Sequence, residues 1–399
     1  MSTTVQTTLP RTVWILGLVS LFMDMSSEFI HAILPIYLTT TLGLTVLTVG
    51  IIEGIAEATA SIMKVFSGVI SDQFQKRKAL ILAGYSLGAV TKPIFPLADS
   101  VFAVIAARFI DRVGKGIRGA PRDALVADVT PAPLMNAAYG LRQSLDTVGA
   151  FAGPLLAILM LYFYAHDLRL VMWVAVIPAA ICVALIIWGI QEPAQWSATK
   201  TKPRLHWADA KLLPPTYWWV IALTAVMTLA RMADALLVLR AQENQLGIVW
   251  IPLVLVLYSA VYALSAYPAG LLSNRLGQTG LLAAGLLCLT LAQVLLALTS
   301  TTTWLFWLGI GLWGLHMGLS QGILSAKIAQ LAPTQLRGTS FGVFHLTTGL
   351  MQLVAGAGFG WLWYQYSAAT AFAVASLVSI SSLLLLALSH QQLKPVASS

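Results

Sequence analysis

Residues 68–78 read Gly-Val-Ile-Ser-Asp-Gln-Phe-Gln-Lys-Arg-Lys, and residues 270–274 read Gly-Leu-Leu-Ser-Asn. Each follows a long apolar run, and the second lies 202 positions after the first, from 68 to 270 and from 72 to 274. The same offset lays Ala127-Asp-Val-Thr-Pro131 on Ala329-Gln-Leu-Ala-Pro333, and Tyr139-Gly140 on Phe341-Gly342. Repeated matches at one offset point to a duplicated unit, an architecture common among membrane transporters.

The apolar runs on either side of these motifs set the fold class. The 399 residues are 58% hydrophobic and only 10% charged, too little polar surface for a water-soluble exterior. A helix needs roughly 20 apolar residues to cross a bilayer, and twelve runs qualify: 12–39, 46–71, 79–97, 100–122, 137–162, 168–190, 216–240, 246–272, 279–299, 303–325, 338–364 and 368–389. Lipid-facing backbone must satisfy its own hydrogen bonds, and these runs are too long for barrel strands, so they are read as helices. The expectation is an all-α membrane protein with twelve transmembrane helices in two pseudo-symmetric six-helix bundles. Residues 1–190 form the first bundle, 191–213 a cytoplasmic linker with Lys200-Thr-Lys-Pro-Arg204, and 214–399 the second.

The net charge of +8 is assigned to topology rather than to nucleic acid. Lys76, Arg77, Lys78, Arg122, Lys200, Lys202, Arg204, Lys211, Arg275, Arg337 and Lys394 all fall on one side of the predicted spans, whereas the opposite loops carry little beyond Arg169 and Arg240. Basic residues mark the cytoplasmic side, so both termini are placed there, in a bacterial inner membrane. The polar first ten residues lack an A-x-A-like site before the first span, which reads as an uncleaved helix. Cys182 and Cys288 both lie in apolar runs and suggest no disulfide framework.

Ionisable residues inside a membrane are costly and usually mark a pathway or coupling site. Asp24, Glu28 and His31 share one face of the first helix, and Glu53 and Glu57 one face of the second. Asp24, Glu57 and Arg108 fall near the bilayer midplane. Arg112, Lys115 and Arg122 continue a basic stripe on helix four, and Asp146 lies one turn beyond Arg142 on helix five. These groups either form a permanent network that fixes helix register or include an acid that binds and releases a proton. A carboxyl's affinity for a proton depends on its burial and on nearby guanidinium groups, so movement of Arg108 relative to Asp24, Glu28 or Glu57 would couple protonation to transport. Arg231 and Asp234, three apart in the second half, are read either as a local pair or as substrate contacts. Lys64 is read as snorkelling toward the interface, and His316 and His345 as packing residues. A metal site from Met23, Met25, Asp24, Glu28 and His31 is disfavoured because the methionines project away from Asp24.

Gly68-x-x-x-Asp72 with Lys76-Arg77-Lys78, repeated half a chain later, resembles the signature loop of the major facilitator superfamily. Arg108-Phe-Ile-Asp111 resembles that family's intramembrane arginine motif, and Gly149-x-x-x-Gly153-Pro154 the motif associated with its antiporters. The string Asp111-Arg-Val-Gly-Lys-Gly-Ile-Arg-Gly-Ala-Pro-Arg-Asp-Ala-Leu125 is similar to one branch of bacterial permeases. The chain departs from the pattern at Arg112, usually glycine, and at Asn274, where an aspartate stands in the first half. The resemblance implies a gate at Gly68, Asp72 and Arg77, and a substrate cavity served by the intramembrane charges, including Asp111 and Arg112.

The expected function is secondary active transport of a small organic solute by alternating access, as proton-coupled efflux. Uptake of a small anion is the alternative, motivated by the basic stripe; metal export and a non-transporting receptor rank below it. No H-E-x-x-H or P-loop occurs, so neither an enzyme nor a self-contained ATP-driven pump is expected. The expected partners are solute, protons and the bilayer, with no cofactor, metal or nucleic acid, and the chain is expected to act as a monomer.

Overall fold

The computed structural model describes residues 8–74, 77–131, 134–164, 167–191, 211–301, 304–331 and 336–389, and among them eight helical segments are long and apolar enough to cross a membrane, with a shorter apolar helix at Leu253–Ala269. The helices are α1 Arg11–Ile36, α2 Val46–Phe74, α3 Arg77–Leu97, α4 Val101–Val129, α5 Met135–Tyr164, α6 Leu168–Met172, α7 Val176–Gly189, α8 Pro215–Ala230, α9 Asp234–Glu243, α10 Leu253–Leu298, α11 Trp304–Leu331, α12 Arg337–Gln365 and α13 Ala368–Ser389. Three departures from one helix per span reconcile this count with twelve crossings. α6 and α7 make one span through a short 3-10 turn, Trp173–Ala175. α8 and α9 make one span with a break between them. α10 holds two spans, joined where Gly277 takes φ +73°. That angle costs a side-chain-bearing residue and is free to glycine.

Helix ends follow local chemistry. The Ser100 hydroxyl accepts from the Ala103 amide to start α4, and Asp167 does the same for Leu170 at α6. Pro214 and Pro215 open α8 where no amide donor is needed. The run expected to begin at 246 instead turns through Gln245 (φ 61°) and enters its helix only at Leu253. α4 is not apolar by composition, because Arg108, Asp111, Arg112, Lys115 and Arg118 lie inside it.

Contacts gather the chain into two compact units, Met1–Leu34 with Thr59–Arg204, and Pro35–Ala58 with Leu205–Ser399. The core of the first packs Val13, Leu16, Val19 and Met23 of α1 against Tyr85 of α3, Val126 of α4 and Ile186 of α7. In the second, Tyr217 and Val220 of α8 meet Leu286 of α10, Ile328 of α11 and Phe344 of α12. The α2 stretch of the second unit lies against α12 almost backbone to backbone. A Cβ on Gly50 would run into the Gly356 carbonyl oxygen, and one on Gly54 would stand 2.9 Å from the Leu353 Cα. Small residues permit such an approach between membrane helices.

Candidate functional site: the charged interior of the first unit

The site is assembled where α5 crosses α1. A Cβ on Gly149 would collide with the Leu21 carbonyl, and one on Gly153 would stand 2.6 Å from the Met25 oxygen and 2.8 Å from the Phe29 nitrogen. The two glycines therefore seat one face of α1 directly on the α5 backbone. Pro154 follows inside the same helix, buried. Asp24 lies between the seated residues of α1, and Asp146 lies just before Gly149 on α5, so this crossing brings their carboxyls within hydrogen-bonding reach of each other. A carboxylate only accepts hydrogen bonds, so two carboxyls can bond only when one carries a proton.

Guanidinium groups frame the pair. Arg118 Nη2 lies 4.0 Å from Asp24 Oδ1, and its guanidinium sits over the Tyr85 ring at 4.6 Å. Arg122 Nη1 donates to Ser20 Oγ at 2.9 Å and lies 3.5 Å from Asp146 Oδ1. Arg142 reaches both Asp146, at 3.8 Å, and Asp123, at 3.6 Å. The Asp24 and Asp146 side chains remain 23% and 22% exposed, whereas Arg118 is 5% exposed. The acids are thus wetter than the base beside them. On the same face of α1, Glu28 Oε2 and His31 Nδ1 are 3.2 Å apart, and both are partly exposed.

Asp111 belongs to a different environment. Lys92 of α3 donates to Asp111 Oδ1 at 2.9 Å and to Ser27 Oγ at 3.1 Å. Arg112 Nε and Arg108 Nη1 lie 3.6 and 4.0 Å from Asp111 Oδ2. Lys92, Arg108, Asp111 and Arg112 are all buried, at 2% exposure or less. This is a dry cluster tying α1, α3 and α4 together, and it holds Arg108 with Asp111.

Other expected residues fall elsewhere. Glu53 is buried and Glu57 half-buried on the α2 stretch that belongs to the second unit. Arg77 of the signature loop pairs with Asp128 near the end of α4 at 2.6 Å. Gly68 and Asp72 lie on α2, but their side chains fall outside the described residues, as do Lys76 and residues 192–210 of the expected linker. In the second unit, Arg231 caps α8 and donates to the Met317 sulfur at 2.9 Å, and no ion pair joins it to Asp234. Arg240, expected in an outer loop, lies in α9. It donates to the Leu296 carbonyl at 3.1 Å and to that of Thr299, and pairs with Glu243 at 2.7 Å. His316 Nδ1 meets the Gly285 carbonyl at 2.9 Å in the interior.

The sequence reading passed over Lys92, Arg118 and Asp128. Lys92 stood near the end of a span, where a lysine usually snorkels. Its only local signal was Pro93 immediately after it, still inside the helix.

A helical membrane chain with a dry ion-pair cluster, a wet acid pair and a broken span defines a class, the multi-pass transporters. More narrowly, the chain belongs to the major facilitator superfamily, whose sequence pattern matches residues 16–356 and 235–397. An uncharacterised MFS-type transporter of Methanocaldococcus jannaschii is 30% identical over 354 residues, 87% of each chain. The class E tetracycline resistance protein of Escherichia coli is 25% identical over 366 residues, covering 86% of this chain and 87% of that one. Among solved structures, a POT family transporter in complex with 5-aminolevulinic acid superposes with a TM-score of 0.81 at 14% identity, over 96% of this chain and 97% of its own. That likeness concerns the fold.

Proposed function

We propose that this chain is a secondary active transporter that exports a small organic solute by alternating access in exchange for protons. The observation that carries the reading is the Asp24–Asp146 pair, two carboxyls that must hold a proton to bond, with Arg118 and Arg122 on hand to compensate when it leaves. Glu28 with His31 provides a second ionisable pair on the same helix. Export is supported by the likeness to a tetracycline resistance protein and by the glycines that seat α5 on α1.

In this reading residues 1–190 and 214–399 are the two moving bodies and 191–213 their linker, with both termini cytoplasmic. The dry Lys92–Asp111 cluster keeps the first body rigid, and Arg77 with Asp128 braces its gate loop.

The test begins with a susceptibility screen comparing overproducing and deletion strains to identify a solute. Reconstituted protein is then given that solute under an imposed pH gradient. Solute movement driven by the gradient, and lost in Asp24→Asn, is expected. Wild-type movement indifferent to the gradient would overturn the proton-coupled reading.

A further inference from the structure

The arginines of α3, α4, α5 and α9 each have a carboxylate within 4.0 Å: Arg77, Arg108, Arg112, Arg118, Arg122, Arg142 and Arg240. Arg231 is different. It sits near the middle of the Pro215–Glu243 span, half-buried, and among the described residues its guanidinium contacts only the Met317 thioether. A thioether is a weak acceptor, and it leaves the rest of the guanidinium fork to whatever enters.

The backbone around Arg231 is built to present it. The helix stops at Ala230 and resumes at Asp234, so the Ala230 carbonyl loses its helical partner. Gln293 of α10, fully buried, donates to that carbonyl at 2.8 Å, and Ser379 of α13 donates to the Gln293 oxygen at 2.7 Å. Two helices distant in sequence thus hold the break open. Broken helices of this kind flank solute sites in transporters. A charge at the bilayer centre costs about 2.5–3.5 kcal/mol on insertion scales, a cost this unit carries without a carboxylate on the guanidinium.

We infer that Arg231 is the receptor for the anionic group of an organic carboxylate, whose apolar body lies along Met317. The planar fork matches a carboxylate in two parallel hydrogen bonds. Met317 is soft and adaptable against an apolar body, and the Gln321 amide nitrogen lies 3.8 Å from its sulfur, close enough to offer a second polar contact. The inference rests on the transport reading and narrows its solute to an organic acid.

The probes are benzoate and its cationic counterpart benzylamine, at matched ionic strength. Thermal unfolding of the detergent-purified full chain is followed by tryptophan fluorescence. Benzoate is expected to raise the midpoint by about 2 °C or more, benzylamine to leave it unchanged, Arg231→Gln to abolish the benzoate shift, and Arg231→Lys to weaken it. A cooperative unfolding transition of Arg231→Gln without benzoate shows that its lost shift is not a folding defect, and Gly140→Ala, remote from the site with open space around it, is expected to keep the full shift. No benzoate shift in the wild type, a shift preserved in Arg231→Gln, or an equal response to benzylamine would overturn the inference. None of these outcomes touches proton coupling, which is read from Asp24→Asn in the flux assay.

Discussion

Lys92 and Asp111 meet at 2.9 Å with their side chains 1% and 3% exposed, a dry ion pair between neighbouring helices of the first unit. Arg108 and Arg112 also come within 4.0 Å of Asp111. The two partners are therefore not equivalent. Asp111→Asn leaves three buried cations without their common anion, and removing one partner of a buried pair costs about 3–5 kcal/mol. Lys92→Met still leaves Asp111 facing two guanidinium groups. Thermal unfolding in detergent should show Asp111→Asn falling well below Lys92→Met. Equal losses would mean that the arginines do not compensate.

The α1–α5 crossing makes a prediction about spacing. Gly149→Ala places a Cβ against the Leu21 carbonyl, with no flexible side chain to yield, so the helices must part and Asp24 must move away from Asp146. Gly140→Ala, earlier on the same helix with open space around it, is the control. Gradient-driven transport should fall at least about tenfold in Gly149→Ala, the effect of a barrier change near 1.4 kcal/mol, and hold in Gly140→Ala.

Much of this was legible in the sequence, and the remainder was not for physical reasons. Long apolar runs specify membrane helices almost by length alone, so most spans from α1 to α13 lie within a few residues of expectation. Asp24 and Asp146 were each visible as charges in apolar surroundings, yet 122 positions separate them, and only the glycine crossing reveals that they meet. The α8–α9 break was invisible because Ala230, Arg231, Met232 and Ala233 carry neither proline nor glycine. Its cause lies in Gln293 and Ser379, which supply the missing hydrogen bonds from elsewhere in the fold.

That break yields a third prediction. Gln293→Leu leaves the Ala230 carbonyl buried without its donor, a loss of about 1–3 kcal/mol. Ser379→Ala removes only the support of the amide and should cost about 1 kcal/mol. Chemical denaturation should rank the two in that order, and the double variant should cost less than the sum, because both changes act on one hydrogen-bond chain.

The acid pair gives the most discriminating case. Asp24→Asn replaces one carboxyl with an amide whose N–H₂ can donate to Asp146, so the bond survives without a titratable proton. Asp24→Ala removes the bond altogether and leaves Asp146 with Arg122 and Arg142 alone. The asparagine variant should therefore unfold at or above the wild-type midpoint while transport no longer responds to a pH gradient. The alanine variant should lose both stability and coupling. If the pair served only to hold α1 against α5, Asp24→Asn would keep its gradient response along with its fold. Unfolding and gradient-driven flux, measured on the same two proteins, separate a proton-exchanging pair from a merely structural one.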